Sequence, residues 1–144
     1  MKEIKIIPEN INLFYIKVNE SNINDSDKIQ SLNFNVNVAH NIQNNLTDER
    51  IKVELILDIK STDLKNQFSA NFNIEFHYKI IDLKDFYSLS TEDKGPVFSG
   101  VFMSTLIGIS FSTARGMIYE RLSKTNMRNV ILPVIAPSKI LFKK

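Results

Sequence analysis

The side chains that could carry out acid–base chemistry lie in two neighbouring segments, and they are Glu54, Asp58, Glu75 and His77. A carboxylate beside an imidazole can move a proton in a general acid–base step. All four occupy polar positions of segments that alternate with apolar residues, where the solvated face of a β-sheet explains them without chemistry. The sequence therefore predicts no catalytic residues, and we do not expect the protein to be an enzyme.

The sequence also offers few residues that could act as nucleophiles or bind a metal. The chain has no cysteine, and its two histidines, His40 and His77, do not have the spacing of metal ligands. Ser112 lies inside a predicted helix without the glycine pattern of a nucleophile elbow. The four glycines form no phosphate-binding loop. We therefore predict that the protein uses no metal and no cofactor.

Length and charge limit the class of protein further. The 144 residues suit one domain, 1–144, and the formal net charge is only +2. The lysines are scattered among acids and form no patch, which argues against a nucleic-acid partner. The first residues show no signal-peptide pattern, so the expected location is the cytoplasm.

The first two thirds of the chain, roughly 4–82, reads as strands. Apolar and polar residues alternate over 32–38, 51–59 and 68–80, which predicts an antiparallel sheet with one buried and one polar face. Short polar connections favour a meander. A further apolar run, Ile11–Val18, is less regular in period and supplies a fourth strand. The predicted fold class is α+β, a four-stranded antiparallel sheet followed by helices.

The segment Val97–Ala114 has no charged residue and predicts one long helix, roughly 97–125, that is buried nearly all round. Small residues at every fourth position form a ridge along which helices can pack closely. The helix could be the core of a monomer or a membrane span. Its Ser, Thr and Gly content argues against a membrane span. The simplest partner for the apolar faces that the sheet does not bury is a second copy of the chain. We predict a homo-tetramer, a dimer of dimers, with these interface residues: Gly100, Ser104, Gly108, Phe111, Ser112 and Arg115.

The C-terminal segment, 127–142, is apolar and interrupted by Pro133 and Pro137, so it cannot continue the helix. Ile140, Leu141 and Phe142 stand close to the Lys143-Lys144 terminus. Side chains this apolar are expected to dock on the sheet of the chain or on a bound partner.

The last third of the chain resembles SecB-type export chaperones. The resemblance rests on three segments. Phe111 to Gly116 carries an aromatic, two further residues and then Ala-Arg, and it is followed by the Leu-Pro-Val segment 130–137 and by Ile140-Leu141-Phe142. It implies a SecB-like order of four strands, a long helix and a short C-terminal segment over nearly the whole chain. Gly116 and the pair Ser112-Thr113 look more like divergent SecB-like proteins, some of which serve toxin–antitoxin pairs.

The resemblance implies an ATP-independent chaperone that binds unfolded polypeptides, in protein export or for a dedicated client. SecA is an open question as a partner, because SecB proper is acidic whereas this chain is slightly basic and stops soon after Phe142. The alternative is a small-molecule or lipid-binding module without catalysis. The expected client surface lies where the C-terminal segment covers the sheet, and it comprises Leu32, Phe34, Val36, Ile131, Val134, Ile135, Ile140, Leu141 and Phe142.

Overall fold

A four-stranded antiparallel sheet, one long helix and a short C-terminal helix make up the fold, which confirms the predicted α+β class. The computed structural model describes residues 4–25, 33–62, 67–89 and 95–142. The elements, in chain order, are β1 (Ile11–Asn24), β2 (Phe34–Asn45), β3 (Arg50–Ser61), β4 (Ser69–Ile80), β5 (Tyr87–Leu89), β6 (Pro96–Phe98), α1 (Gly100–Leu122) and α2 (Pro137–Leu141). Short 3₁₀ turns at Pro8–Asn10 and Leu83–Phe86 precede β1 and β5.

The strand order in the sheet is β1-β4-β3-β2. Strands β2, β3 and β4 follow one another as a meander, as the short connections predicted. Strand β1 pairs antiparallel with β4, on the far side of the sheet from its neighbour in sequence. Both β1 and β2 are therefore edge strands, and each leaves one row of backbone groups without a partner in this sheet.

The irregular period of β1 has a structural cause. Its register against β4 shifts between Leu13 and Tyr15 and again between Val18 and Glu20. Each β-bulge adds one residue and resets the alternation of faces. The residues turned toward the core are therefore half-buried in three short groups, Ile11 and Leu13, Ile16 and Val18, and Ser21 and Ile23.

The core lies between the inner face of the sheet and α1. Ser99 caps the helix, since its hydroxyl accepts the backbone N–H of Phe102 at 3.3 Å. Val97 and Phe98, which the sequence placed in the helix, instead form β6 and pair with β5. The helix ends at Leu122, slightly before the expected end. Its core side carries the buried residues Phe102, Met103, Leu106, Ile107, Ser110, Phe111, Ala114, Ile118 and Leu122.

By length and composition alone, α1 could also cross a membrane, and 44% of its most apolar window is buried inside the chain. A core helix has the same length and composition. Since the inner side of α1 packs against the sheet, these two properties carry little weight as an indication of a membrane span.

One polar pair lies inside this core, and it leads to a pH prediction. The Tyr78 hydroxyl is 2.7 Å from the Ser110 hydroxyl and also donates to the Leu106 carbonyl at 3.4 Å. Burial raises the pKa of Tyr78 to about 12, and the hydrogen bond with Ser110 opposes this only in part.

Because the folded chain disfavours the tyrosinate, the contribution of Tyr78 to stability is complete below pH 10 and is lost as the pH rises toward 12. We expect the free energy of unfolding to fall by about 2–3 kcal/mol over this range from Tyr78 alone. Urea unfolding of wild type and Tyr78→Phe at pH 8, 10 and 11 measures about half of this loss, about 1.4 kcal/mol. Parallel pH profiles for the two proteins would contradict it.

Candidate functional site

The first candidate surface is the side of α1 that faces away from the sheet. No charged residue occurs in α1 before Arg115, and small side chains leave a broad, open concavity of about 920 Å³ along this side. The concavity is lined by Gly100, Val101, Ser104, Thr105, Gly108, Ile109, Ser112 and Thr113, together with Pro137 and Phe142 near α2. We call this surface the α1 face.

Four of the six predicted interface residues line the α1 face, and they are Gly100, Ser104, Gly108 and Ser112. Gly108 also has a role within the chain, because a Cβ atom there would stand 3.2 Å from Cγ of Pro137. Phe111 does not reach this face, since it is 3% exposed and packs in the core. Arg115 is half-buried, and its Nε donates to the Leu132 carbonyl at 3.1 Å, so its partner is a backbone carbonyl of its own chain.

The second candidate surface follows the edge strand β2, and we call it the β2 groove. One part has a volume of about 350 Å³ and is lined by Asn37, Val38, Ala39, His40, Ile56, Asp58 and Ile140. A second part of about 420 Å³ adjoins it and is lined by Asn35, Val36, Asn37, Asp58 and Lys60. Asn37 and Asp58 belong to both parts, so the groove runs along the strand and combines an apolar floor with a polar rim.

The structure divides the predicted client residues between these two surfaces. Val36 lines the β2 groove, and Phe34 is half-buried at the start of the same strand. Ile140 also lines the groove, where it is only 2% exposed and belongs to the core. Phe142 lies on the α1 face instead. Leu32 lies outside the described residues.

The remaining client candidates lie on the segment between the helices or beside Ile140. Ile131 and Val134 are exposed, and Val134 reaches 83%. Ile135 and Leu141 are half-buried and pack against the core. Val130 and Leu132 are buried and fix the segment beside α1. Alternate residues of this segment are therefore anchored while the others face solvent.

Ile140 is buried and Phe142 is exposed. Substitution by alanine should therefore lower stability strongly at Ile140 and hardly at all at Phe142. Ile140→Ala removes a fully buried side chain and should lower the free energy of unfolding by about 2–5 kcal/mol. Phe142→Ala removes a side chain that is 69% exposed, so the stability of the isolated chain should change by less than about 0.5 kcal/mol. Urea unfolding of the two variants, each measured under conditions in which the chain is not assembled, tests this. Equal losses in the free energy of unfolding would contradict the placement of the two side chains.

The acid–base candidates are brought together only in part. On the outer face of the sheet, His77 Nε2 lies 2.9 Å from Glu75 Oε1, and Asn19 Nδ2 donates to Glu75 Oε2 at 2.6 Å. The bond from Asn19, followed by that from His77, lowers the pKa of Glu75. Glu54 lies directly across from Glu75, whereas Asp58 lies at the rim of the β2 groove. Within the described residues, no three His, Asp or Glu side chains are arranged to hold a metal ion.

Sequence reasoning missed the outer wall of the β2 groove, which Ala39 and Ile56 form. The two residues are direct partners across β2 and β3, and Ile56 is 37% exposed. The signal was available, because Ile56 interrupts the alternation of β3 with an apolar residue at a polar position. Contiguous apolar residues on an otherwise polar face can mark a binding site, and Ile56 adjoins Ala39 there.

Comparison with solved structures finds a likeness in fold. A SecB-like chaperone from Mycobacterium tuberculosis, in complex with a peptide from an antitoxin, superposes with a TM-score of 0.64 and 10% sequence identity, over 88% of this chain and 91% of that chain. A protein of unknown function from Streptococcus agalactiae has a TM-score of 0.43 and 10% identity, over 87% and 96% of the two chains. No family model and no curated protein matches the sequence. The chain thus has a SecB-like fold.

Proposed function

We propose that the protein is an ATP-independent chaperone that holds segments of non-native polypeptide in the β2 groove. The observation that carries the proposal is the groove itself, an open channel along an edge strand whose accessible apolar lining comes from Val36, Ala39 and Ile56. Extended polypeptides bind such edges through their backbone and place alternate side chains in apolar pockets. The M. tuberculosis chaperone of similar fold binds an antitoxin peptide, which supports a polypeptide as the ligand here.

The proposed assembly is a homo-tetramer, a dimer of dimers, in which the α1 face is covered by a second copy. An uncharged helix side with Val101, Ile109 and the 69%-exposed Phe142 is a poor surface to leave in water. Small residues at Ser104 and Ser112 allow another helix to approach closely. Within this proposal the chain is cytoplasmic and non-catalytic, with no nucleic-acid or membrane partner.

The client could belong to an export route, in which SecA would be a further partner, or to a toxin–antitoxin pair. Both extend the same proposal, since each needs a site that holds a polypeptide before it folds. The alternative of a small-molecule or lipid-binding module would require an apolar small molecule in the β2 groove.

The proposal is tested by the aggregation of a chemically unfolded protein diluted into buffer with and without this chain. We expect suppression at a near-stoichiometric ratio, with no change when ATP is added. Mass spectrometry of the purified protein provides the second readout, because a co-purified apolar small molecule would favour the alternative. Unchanged aggregation at a large excess of this chain would contradict a general holding activity.

A further inference from the structure

The outer face of the sheet gathers positive charge at one end, beside the turn that joins β2 to β3. The register of β3 against β4 places Arg50 opposite Lys79 and Lys52 opposite His77. These four residues all lie on the polar side of the sheet, and Arg50 is exposed. Strand pairing therefore brings the cations Arg50, Lys52 and Lys79 together beside His77, although they are distant along the chain.

Two exposed aromatic rings adjoin these cations. The first β-bulge of β1 inserts Phe14 beside Tyr15, so both rings face His77, with centroids 6.2 and 5.2 Å from the imidazole. The guanidinium carbon of Arg50 lies 5.2 Å from the centre of the Phe14 ring. At this distance the cation is attracted to the ring face, which helps to hold Arg50 in place over the sheet. We call the set Phe14, Tyr15, Arg50, Lys52 and His77 the basic corner.

A cavity of about 290 Å³ opens at the basic corner. Its lining includes Phe14, Arg50, Lys52 and His77, and side-chain amides come from Gln43 and Asn44. The amide of Asn45, which also lines the cavity, already donates to Asp48. Guanidinium, ammonium and amide N–H groups are all donors, so the site offers donors around one aromatic wall. Such a combination suits an anionic group attached to an apolar one.

The cations of the corner are only partly balanced by the chain, since Glu75 attracts Lys52 electrostatically without forming an ion pair with it. Both carboxylate oxygens of Glu75 are already hydrogen-bonded, one to Asn19 and one to His77, and the Asp48 carboxylate in the adjoining turn accepts from the Asn45 amide. Across the four stretches that the structure describes, neither Arg50 nor Lys52 forms an ion pair. A ligand carboxylate would therefore gain two charge-assisted hydrogen bonds without displacing an existing partner.

The extent of the corner limits the size of the anion. The next residues along β3 and β4 on this face are Glu54 and Glu75, and Asp58 follows further on. An extended polyanion such as RNA would meet these acids within two residues of the corner and be repelled. The observations thus favour one or two carboxylates over a chain of phosphates.

We propose that the basic corner binds a carboxylate-bearing segment of polypeptide, with the carboxylate on Arg50 and Lys52 and a neighbouring apolar side chain on Phe14 and Tyr15. The carboxylate comes from an Asp or Glu side chain of the bound segment. This second polypeptide site lies on the opposite side of β4 and β3 from the core and does not depend on the β2 groove.

The two histidines of the chain report separately on the two surfaces, because His77 lies in the basic corner and His40 lines the β2 groove. Their imidazole C–H signals are followed by NMR during titration with a short peptide, blocked at both ends, that carries two glutamates between leucine and phenylalanine. A glutamine version and a version with only a free C-terminal carboxylate distinguish the sources of the anion. We expect the glutamate peptide to shift the His77 signal and leave the His40 signal in place, and the glutamine version to bind at least tenfold more weakly.

The double variant Arg50→Gln/Lys52→Gln should weaken glutamate-peptide binding at least tenfold. Lys124→Gln, at an exposed lysine that follows α1 and lines neither the cavity nor the β2 groove, is the control and should not change it. Equal binding of the glutamate and glutamine peptides, an equal loss in the control, or a His77 shift with a single-stranded oligonucleotide but not with the peptide would each overturn the proposal. Because His40 reports on the β2 groove, failure here is distinguishable from failure of the proposed chaperone function.

Discussion

A single charge placed on the α1 face, Ser112→Glu, should break the tetramer into dimers or monomers. Ser112 is exposed in the isolated chain, so the substitution leaves the core untouched. In a symmetric interface each copy contributes the same residue, and the carboxylates are therefore buried in pairs. An unpaired buried charge costs several kcal/mol, more than a modest interface can absorb.

Light scattering measures this effect directly. We expect wild type at four times the chain mass of 16.6 kDa and Ser112→Glu at half of that mass or less, with unchanged circular dichroism. Ser88→Glu, at an exposed position of β5, is the control and should remain a tetramer. Ser112 is preferred to Gly108, where a side chain would press on Pro137 of the same chain. A monomeric wild type, or a Ser112→Glu protein of unchanged mass, would contradict the assembly.

The second large effect is expected at the β2 groove, where Ile56→Asp should weaken polypeptide binding by about tenfold or more. Covering an isoleucine contributes about 1.5–3 kcal/mol, and 1.4 kcal/mol corresponds to a factor of ten in affinity. Ile56 faces away from the core, so the tetramer and its thermal unfolding should change little. Ile56→Thr keeps the β-branched shape and should give an intermediate loss.

The measurement is the fluorescence anisotropy of a labelled, permanently unfolded polypeptide titrated with each variant. Asn22→Asp adds the same charge at an exposed position of β1, opposite Asn71 and away from both the groove and the basic corner, and should bind as wild type does. If Ile56→Asp binds the polypeptide normally while its mass and stability are unchanged, the β2 groove is not the client site.

The sequence predicted the sheet and the long helix because their signals are local. Alternation along β3 and β4 identifies their buried faces, and an uncharged run identifies α1. The place of β1 beside β4 depends on pairing between residues that are distant along the chain, and periodicity says nothing about that. The two β-bulges also blur the pattern of β1, since each one reverses the phase of alternation.

The site was harder to predict because it is formed by residues that are distant along the chain or that neighbouring turns send in different directions. Ile140 and Phe142 are two residues apart in an apolar tail, yet the short helix α2 turns one into the core beside β2 and the other toward α1. The basic corner was invisible in the sequence, where the lysines look scattered among acids. Arg50 and Lys52 come near His77 only through the register of β3 and β4.

Photocrosslinking from a single site tests most directly whether clients occupy the β2 groove. Ile56→p-benzoylphenylalanine places a photoreactive group on the groove wall, and the same residue at Ser112 places it on the α1 face. Irradiation with an unfolded client should give a client adduct from position 56 and an adduct between two copies of this chain from position 112. A client adduct from position 112 together with none from position 56 would contradict the account.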